Sequence, residues 1–105
     1  MSARRLGPVD RVPPGEGRSF DVGGLSVAVF RMRGGALFAT QARCPHRSGP
    51  LADGIVGGGT VICPLHGFQY DLATGQPRGH GCPALRTYRI ELDRGGEMLI
   101  DLDEP

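Results

Sequence analysis

The sequence lacks the features of membrane, exported and nucleic-acid-binding proteins. No apolar run approaches the roughly 18 residues of a membrane-spanning helix. The segment Met1–Pro8 has no apolar core of the kind found in signal peptides, and its two arginines precede no hydrophobic segment. With 12 basic and 11 acidic residues, the formal charge is only +1, and no basic stretch suggests a nucleic-acid interface. We therefore expect a cytoplasmic protein that binds neither membranes nor nucleic acids.

Cysteine is also scarce. The chain has three cysteines, an odd number that offers no framework of disulfide bonds. A reducing compartment is the simplest interpretation, because disulfides are rare there. No nucleophile–base pair, catalytic carboxylate pair or phosphate-binding loop stands out in the sequence.

Helix-forming patterns are missing, whereas turn residues are abundant. The 105 residues include 18 glycines and 9 prolines, which favour short strands joined by tight turns. Two hairpins are predicted, one turning at Gly23-Gly24 and one at Arg94-Gly95-Gly96, and any strand near Pro8–Val12 should be short and at an edge. We expect eight to ten strands in a single all-β domain covering residues 1–105, an antiparallel β-sandwich or barrel.

Two pairs of potential metal ligands dominate the middle of the chain. Cys44-Pro45-His46 and Cys63-Pro64-Leu65-His66 are separated by sixteen residues. Two thiolates and two imidazoles suit zinc, copper(I) or an iron–sulfur centre better than magnesium or calcium. Zinc fingers usually pair cysteine with cysteine and histidine with histidine, whereas each pair here is mixed. A [2Fe–2S] cluster with one all-sulfur and one all-nitrogen iron requires such mixed pairs.

The pattern C-P-H-(16)-C-P-L-H resembles the Rieske family. The resemblance implies a β base with a [2Fe–2S] cluster held at one tip by two loops, residues 43–52 and 62–72, and it extends over most of the chain from about residue 18. In the family, two cysteines bind one iron and two histidines bind the other. This implies that Cys44, His46, Cys63 and His66 are the iron ligands here. A zinc-binding interaction module is the alternative from a different functional class.

Departures from the high-potential members of the family indicate a low reduction potential. Those members carry a disulfide between the ligand loops, but the matching positions here are Gly49 and Leu65. They also place a serine hydroxyl near a bridging sulfide, where this chain has Phe68. Tyr70 matches their tyrosine, whose hydroxyl can reach a cysteine sulfur. Fewer hydrogen bonds to sulfur leave the reduced cluster less stabilised, so its potential should be low.

Several other residues are expected around the cluster. Arg47 is either a docking charge or an ordinary solvated side chain, and the resemblance implies that a proline-containing loop, here at Pro83, covers the site. Four ligands already satisfy the cluster, so His80 and Cys82 are not expected to bind iron, and Cys82 is interpreted as a small packed residue. The expected surroundings of the cluster are thus Arg47, Gly67, Phe68, Tyr70 and Pro83.

The expected function is one-electron transfer without a substrate site, because the chain is too small for both a cluster and a substrate pocket. Two family contexts fit. The chain resembles the small subunit of assimilatory NAD(P)H nitrite reductase, an interpretation favoured by Gly81-Cys82 and Thr87-Tyr88, and it also resembles the ferredoxins of aromatic-ring dioxygenases. Either context implies redox partner proteins: a flavin- or NAD(P)H-linked reductase and a terminal reductase or oxygenase.

Overall fold

A computed structural model describes residues 3–45, 48–65 and 67–103. These residues form ten β-strands and two short 3-10 helices, Val9–Arg11 and Leu51–Asp53, so the predicted all-β antiparallel fold is confirmed. Within the described ranges, no helix has the length and apolar character needed to cross a membrane. The strands are β1 (Ala3–Pro8), β2 (Glu16–Val22), β3 (Leu25–Arg31), β4 (Leu37–Gln41), β5 (Ile55–Gly57), β6 (Thr60–Ile62), β7 (Gln69–Asp71), β8 (Pro77–Arg78), β9 (Thr87–Leu92) and β10 (Glu97–Asp101).

Six strands form the larger antiparallel sheet, in the order β1-β10-β9-β4-β3-β2. The β2–β3 hairpin turns at Gly23 and Gly24, whose φ angles are 58° and 87°. Positive φ at both central residues is what a two-residue turn needs to match the twist of its strands, and glycine adopts it without steric cost. The second predicted hairpin, β9–β10, is also present.

The smaller sheet carries the second predicted ligand loop. Its strands lie in the order β5-β6-β7-β8, and all neighbours are antiparallel. The loop between β6 and β7 contains the second ligand pair, and the first pair lies in the connection between β4 and β5. The two ligand segments therefore belong to different parts of the fold, and packing between the sheets must bring them together.

Strand β3 is buried on both faces and separates two cores. Val27 and Val29 pack in the core of the larger sheet, while Ala28 and Phe30 face a second core shared with the smaller sheet. This alternation follows from the period of two in a β-strand and was predicted from the sequence. Beside Ala28 and Phe30, the second core contains Cys44, Leu51, Ala52, Val61, Cys63, Tyr70, Leu72 and Leu85. The cysteines of both ligand pairs are thus anchored in one apolar cluster.

Candidate metal centre

The first ligand loop is closed at its neck by backbone pairing. Arg43 and Pro50 form an isolated β-bridge, and the Leu51 N–H donates to the Ala42 carbonyl at 3.0 Å. Inside this neck, the Cys44 N–H donates to the carbonyl of Gly49 at 2.8 Å. These bonds fix the backbone of Cys44, whose side chain is only 2% exposed.

The second ligand loop is the end of the β6–β7 hairpin. The Cys63 N–H donates to the Phe68 carbonyl at 2.7 Å, directly beyond the last strand pair, Ile62 with Gln69. This bond closes the base of the loop. Gly67 has φ of +70°, a conformation that glycine adopts readily, and it lets the chain return to β7. Cys63 itself is 1% exposed.

The two cysteines, which lie nineteen positions apart in the sequence, meet in the fold. Cys44 and Cys63 belong to one buried cluster. Burial raises the pKa of Cys63, and Cys44 is close enough to raise it further, although a backbone hydrogen bond from Leu65 acts in the opposite direction. A metal that binds here must displace the thiol protons, because thiolates are the binding form.

The position of Gly49 also fits a bound group. A Cβ at this residue would lie 2.7 Å from the Cys63 sulfur and 3.1 Å from Cγ of Leu65, which is too close for any larger residue without a shift. The absence of a side chain at Gly49 therefore keeps the space beside the Cys63 sulfur open. Two buried cysteines and this space fit the all-sulfur half of a two-iron centre.

Tyr70 connects the smaller sheet to the first ligand loop. Its side chain is fully buried, and its hydroxyl lies 3.3 Å from the Cys44 sulfur. Burial raises the pKa of Tyr70 above its ordinary value, so the hydroxyl is protonated at neutral pH. It can therefore donate a hydrogen bond to a Cys44 thiolate. Cys44, and to a smaller extent Cys82, also raise the pKa of this hydroxyl.

Several described residues near the two cysteines in the sequence are exposed. Ser48, Pro64, Leu65 and Gly67 are exposed, whereas Cys44 and Cys63 are buried. A group held by the cysteines would thus lie under the tip of the domain, close to the surface. Electrons can reach such a site without a deep channel.

The structure places only part of the predicted site. Cys44, Cys63 and Tyr70 lie in one buried cluster, and Phe68 is half-buried against it. Gly67 is exposed in the loop between β6 and β7. Pro83 is exposed. The predictions for His46, Arg47 and His66 fall outside the described residues.

Sequence reasoning missed one residue at this site, His80. Its ring stands 4.5 Å from the Phe68 ring and 4.9 Å from the Tyr70 ring, measured between centroids. The available signal was weak: His80 is the one histidine outside the two ligand pairs.

Comparison with known proteins assigns residues 3–89 to the model of the Rieske [2Fe-2S] domain. Among curated relatives, the biphenyl dioxygenase ferredoxin subunit of Pseudomonas sp. (strain KKS102) is 35% identical over 103 residues, which are 96% of this chain and 93% of that protein. The 4beta-methylsterol monooxygenase of Methylococcus capsulatus is 34% identical over 85% of this chain, which spans only 22% of that longer protein.

Solved structures show the same similarity. The ferredoxin of carbazole 1,9a-dioxygenase from Nocardioides aromaticivorans IC177 superposes with a TM-score of 0.85 and 31% identity, covering 95% of this chain and 97% of that one. A protein described as the small subunit of an NADH-dependent nitrite reductase from Mycobacterium tuberculosis also has a TM-score of 0.85, at 23% identity and with 93% and 92% of the two chains covered. At that identity, the second match shows the fold alone.

Proposed function

The chain belongs to the Rieske [2Fe-2S] family, and from this membership we propose that it is the ferredoxin of a multicomponent oxygenase. Family membership implies a Rieske-type [2Fe–2S] cluster, which supplies one-electron transfer when it is bound. This membership argues against the alternative of a zinc-binding interaction module.

Cys44 and Cys63 bind one iron in this proposal, and His46 and His66 bind the other. The observation that carries the assignment is the meeting of two buried cysteines, from two separate loops, beneath an exposed tip. Tyr70 donates a hydrogen bond to the Cys44 sulfur, and Phe68 shields the site from water. Leu65, which is 39% exposed, belongs to the surface through which a partner would approach.

Ligation is tested one residue at a time. The purified protein should contain two irons and two acid-labile sulfides, and its reduced form should show nitrogen couplings from two imidazoles in pulsed electron paramagnetic resonance. Cys44→Ser and Cys63→Ser should lose the cluster, and His46→Ala and His66→Ala should lose the nitrogen couplings. The substitution Cys82→Ser should leave the iron and sulfide content unchanged. Iron loss in Cys82→Ser equal to that in Cys44→Ser would refute the ligand set.

The oxygenase context is favoured by sequence similarity over nearly the whole length of a dioxygenase ferredoxin. In this role, residues 1–105 act as one cytoplasmic domain that takes electrons from a flavin-containing reductase and delivers them to a terminal oxygenase. The chemistry on the substrate takes place on that partner. The test is a reconstituted system in which NADH-dependent hydroxylation of an aromatic substrate requires this protein.

The small subunit of NAD(P)H nitrite reductase is the second candidate. It is supported by the shared fold and by Gly81-Cys82 and Thr87-Tyr88, which are typical of that group. In this case, the protein should co-purify with a sirohaem-containing reductase subunit from native cells. It should not support hydroxylation in the reconstituted system. The two assays therefore distinguish the two roles.

A further inference from the structure

We propose that His80 is a positioning residue for the cluster. It holds Tyr70 and Phe68 in place and thereby helps to set the reduction potential. The inference rests on the proposed ligation of iron by Cys44, because His80 acts through the hydroxyl that faces this sulfur.

The first part of the argument is the hydrogen bonding of the imidazole. His80 follows the two-residue strand β8, which pairs with β7 only as far as Gln69 and Arg78. Beyond that point, Nε2 of His80 lies 2.9 Å from the Gln69 carbonyl, and Nδ1 lies 3.3 Å from the Cys82 N–H. Because Nδ1 accepts from this N–H, Nε2 carries the proton and donates to Gln69. The side chain thus extends the edge of the smaller sheet and ties the segment around Cys82 to β7.

The second part is the position of the imidazole ring. It lies tilted by 41° against the Phe68 ring and meets the Tyr70 ring nearly edge-on, at 80°. Aromatic contacts at such centroid distances have preferred geometries. Phe68 is the last residue before β7, and Tyr70 is the middle residue of β7. His80 therefore braces both of these side chains.

These contacts lead to Cys44 in two steps. His80 fixes the Tyr70 ring, and the Tyr70 hydroxyl lies 3.3 Å from the Cys44 sulfur. The partners that orient a metal ligand tune the metal as strongly as the ligand itself. Removing the imidazole leaves a gap beside Tyr70, so the O–H···S bond should lengthen and the reduced state should lose stabilisation.

The test measures the midpoint potential of the purified, cluster-loaded protein in four forms: wild type, H80A, Y70F and the double variant. H80A should lower the potential in the same direction as Y70F, by a smaller amount. In the Y70F background, H80A should cause no further change, because the group through which it acts is already gone. A potential unchanged or raised in H80A, or an equal fall in both backgrounds, would overturn the proposal.

Two further variants separate positioning from simple folding. H80Q keeps a donor for the Gln69 carbonyl and should recover part of the wild-type potential and of the visible circular dichroism of the cluster. R78Q changes an exposed neighbour on β8, whose side chain pairs with Asp71 at 3.6 Å, and should leave the potential unchanged. A shift in R78Q matching that of H80A would also overturn the proposal.

Iron and acid-labile sulfide are measured in every form. Wild type without iron and sulfide would mean that the proposed function itself has failed. A loaded wild type whose potential does not respond to His80 would refute only the positioning role.

Discussion

The hydrogen bond from Tyr70 to the Cys44 sulfur predicts how far one hydroxyl tunes the reduction potential. The substitution Tyr70→Phe removes this hydroxyl and leaves the buried ring in place. The hydroxyl is 3.3 Å from the sulfur and is shielded from water, so no solvent molecule readily replaces it. The cysteine sulfur is more negative in the reduced cluster, and a donor facing it stabilises that state more than the oxidised one.

The size of the effect follows from the strength of such a bond. A net hydrogen bond contributes about 1 kcal/mol, and bonds to charged acceptors are the stronger ones, so about 1 kcal/mol is a reasonable preference for the reduced state. For a one-electron couple, a tenfold change in the equilibrium constant, about 1.4 kcal/mol, corresponds to about 59 mV. Tyr70→Phe should therefore lower the midpoint potential by about 40 mV.

A redox titration followed by visible absorption measures the shift, with Tyr88→Phe as the matched control. Tyr88 is the other tyrosine of the chain and is also buried, but it packs in the core of the larger sheet, away from both cysteines. Its variant should keep the wild-type potential. The reasoning would be refuted if Tyr70→Phe left the potential unchanged or raised it, or if Tyr88→Phe lowered it equally.

Three further predictions concern assembly and stability. Gly49→Ala places a Cβ 2.7 Å from the second cysteine sulfur and should sharply reduce iron and sulfide content, whereas Gly34→Ala, with open space at that position, should not. A hydrogen bond from the Glu97 backbone N–H, together with a smaller contribution from Arg5, holds the pKa of Asp93 below its ordinary value. The ionised Asp93 therefore stabilises the fold at neutral pH, and this contribution is lost as the pH falls through the folded-state pKa. The difference in free energy of unfolding between wild type and Asp93→Asn, measured with urea, should thus shrink below about pH 4. A difference that stays constant with pH would contradict this, as would an equal pH-dependent difference in the exposed control Asp21→Asn. Phe30→Ala should lower the free energy of unfolding by about 3–5 kcal/mol, because it opens a cavity in the core that also holds the two cysteines. A loss below about 1 kcal/mol would contradict this, since it would mean that neighbouring side chains close the cavity.

The potential of the wild-type protein is a separate prediction. Phe68 offers no hydroxyl to the cluster, and the positions of the bracing disulfide are occupied by Gly49 and Leu65, whose side-chain positions adjoin in the fold. Tyr70 supplies a side-chain hydrogen bond to Cys44, but the serine hydroxyl and the disulfide of the high-potential members are replaced, so the midpoint should lie well below that of respiratory Rieske proteins. A titration giving a value above roughly +100 mV would contradict this expectation.

Local patterns predicted most of the fold. Glycine pairs marked the turns, and the alternation in β3 correctly separated Val27 and Val29 from Ala28 and Phe30. The sequence predicted only that any strand near Pro8–Val12 would be short and at an edge. In the structure β1, Ala3–Pro8, is an edge strand that ends at Pro8, and Val9–Arg11 is a 3-10 helix. The position of β1 depends on its pairing with β10, about ninety residues away, through a register shift between Arg5 and Gly7. No local pattern records such a contact.

The site also combines features that a local sequence pattern predicts with contacts between distant residues that it does not. The ligand residues were identifiable because each pair is a local motif whose chemistry depends on residue type and spacing. The contact of Cys44 with Tyr70 could be predicted only through the family resemblance. The role of His80 could not be predicted from a local pattern. The strand β8 ends after two residues, and the His80 side chain pairs with the Gln69 carbonyl instead, which places its ring against Phe68 and Tyr70.

The predicted ligand motif and the side chains around it come from different segments of the chain, and this separation affects how the reduction potential is set. The backbone bonds at Cys44 and Cys63 lie within each predicted ligand loop. The hydroxyl at the Cys44 sulfur comes instead from Tyr70 on β7, and the ring that contacts Tyr70 comes from His80 after β8, so both lie outside the ligand pairs. Proteins with the same ligand motif can therefore differ in potential through residues such as Tyr70 and His80. Because an electron donor and acceptor must match that potential, the proposal for His80 predicts that substitutions at Tyr70 and His80 change the rate of electron transfer to a partner while iron and sulfide content stay the same.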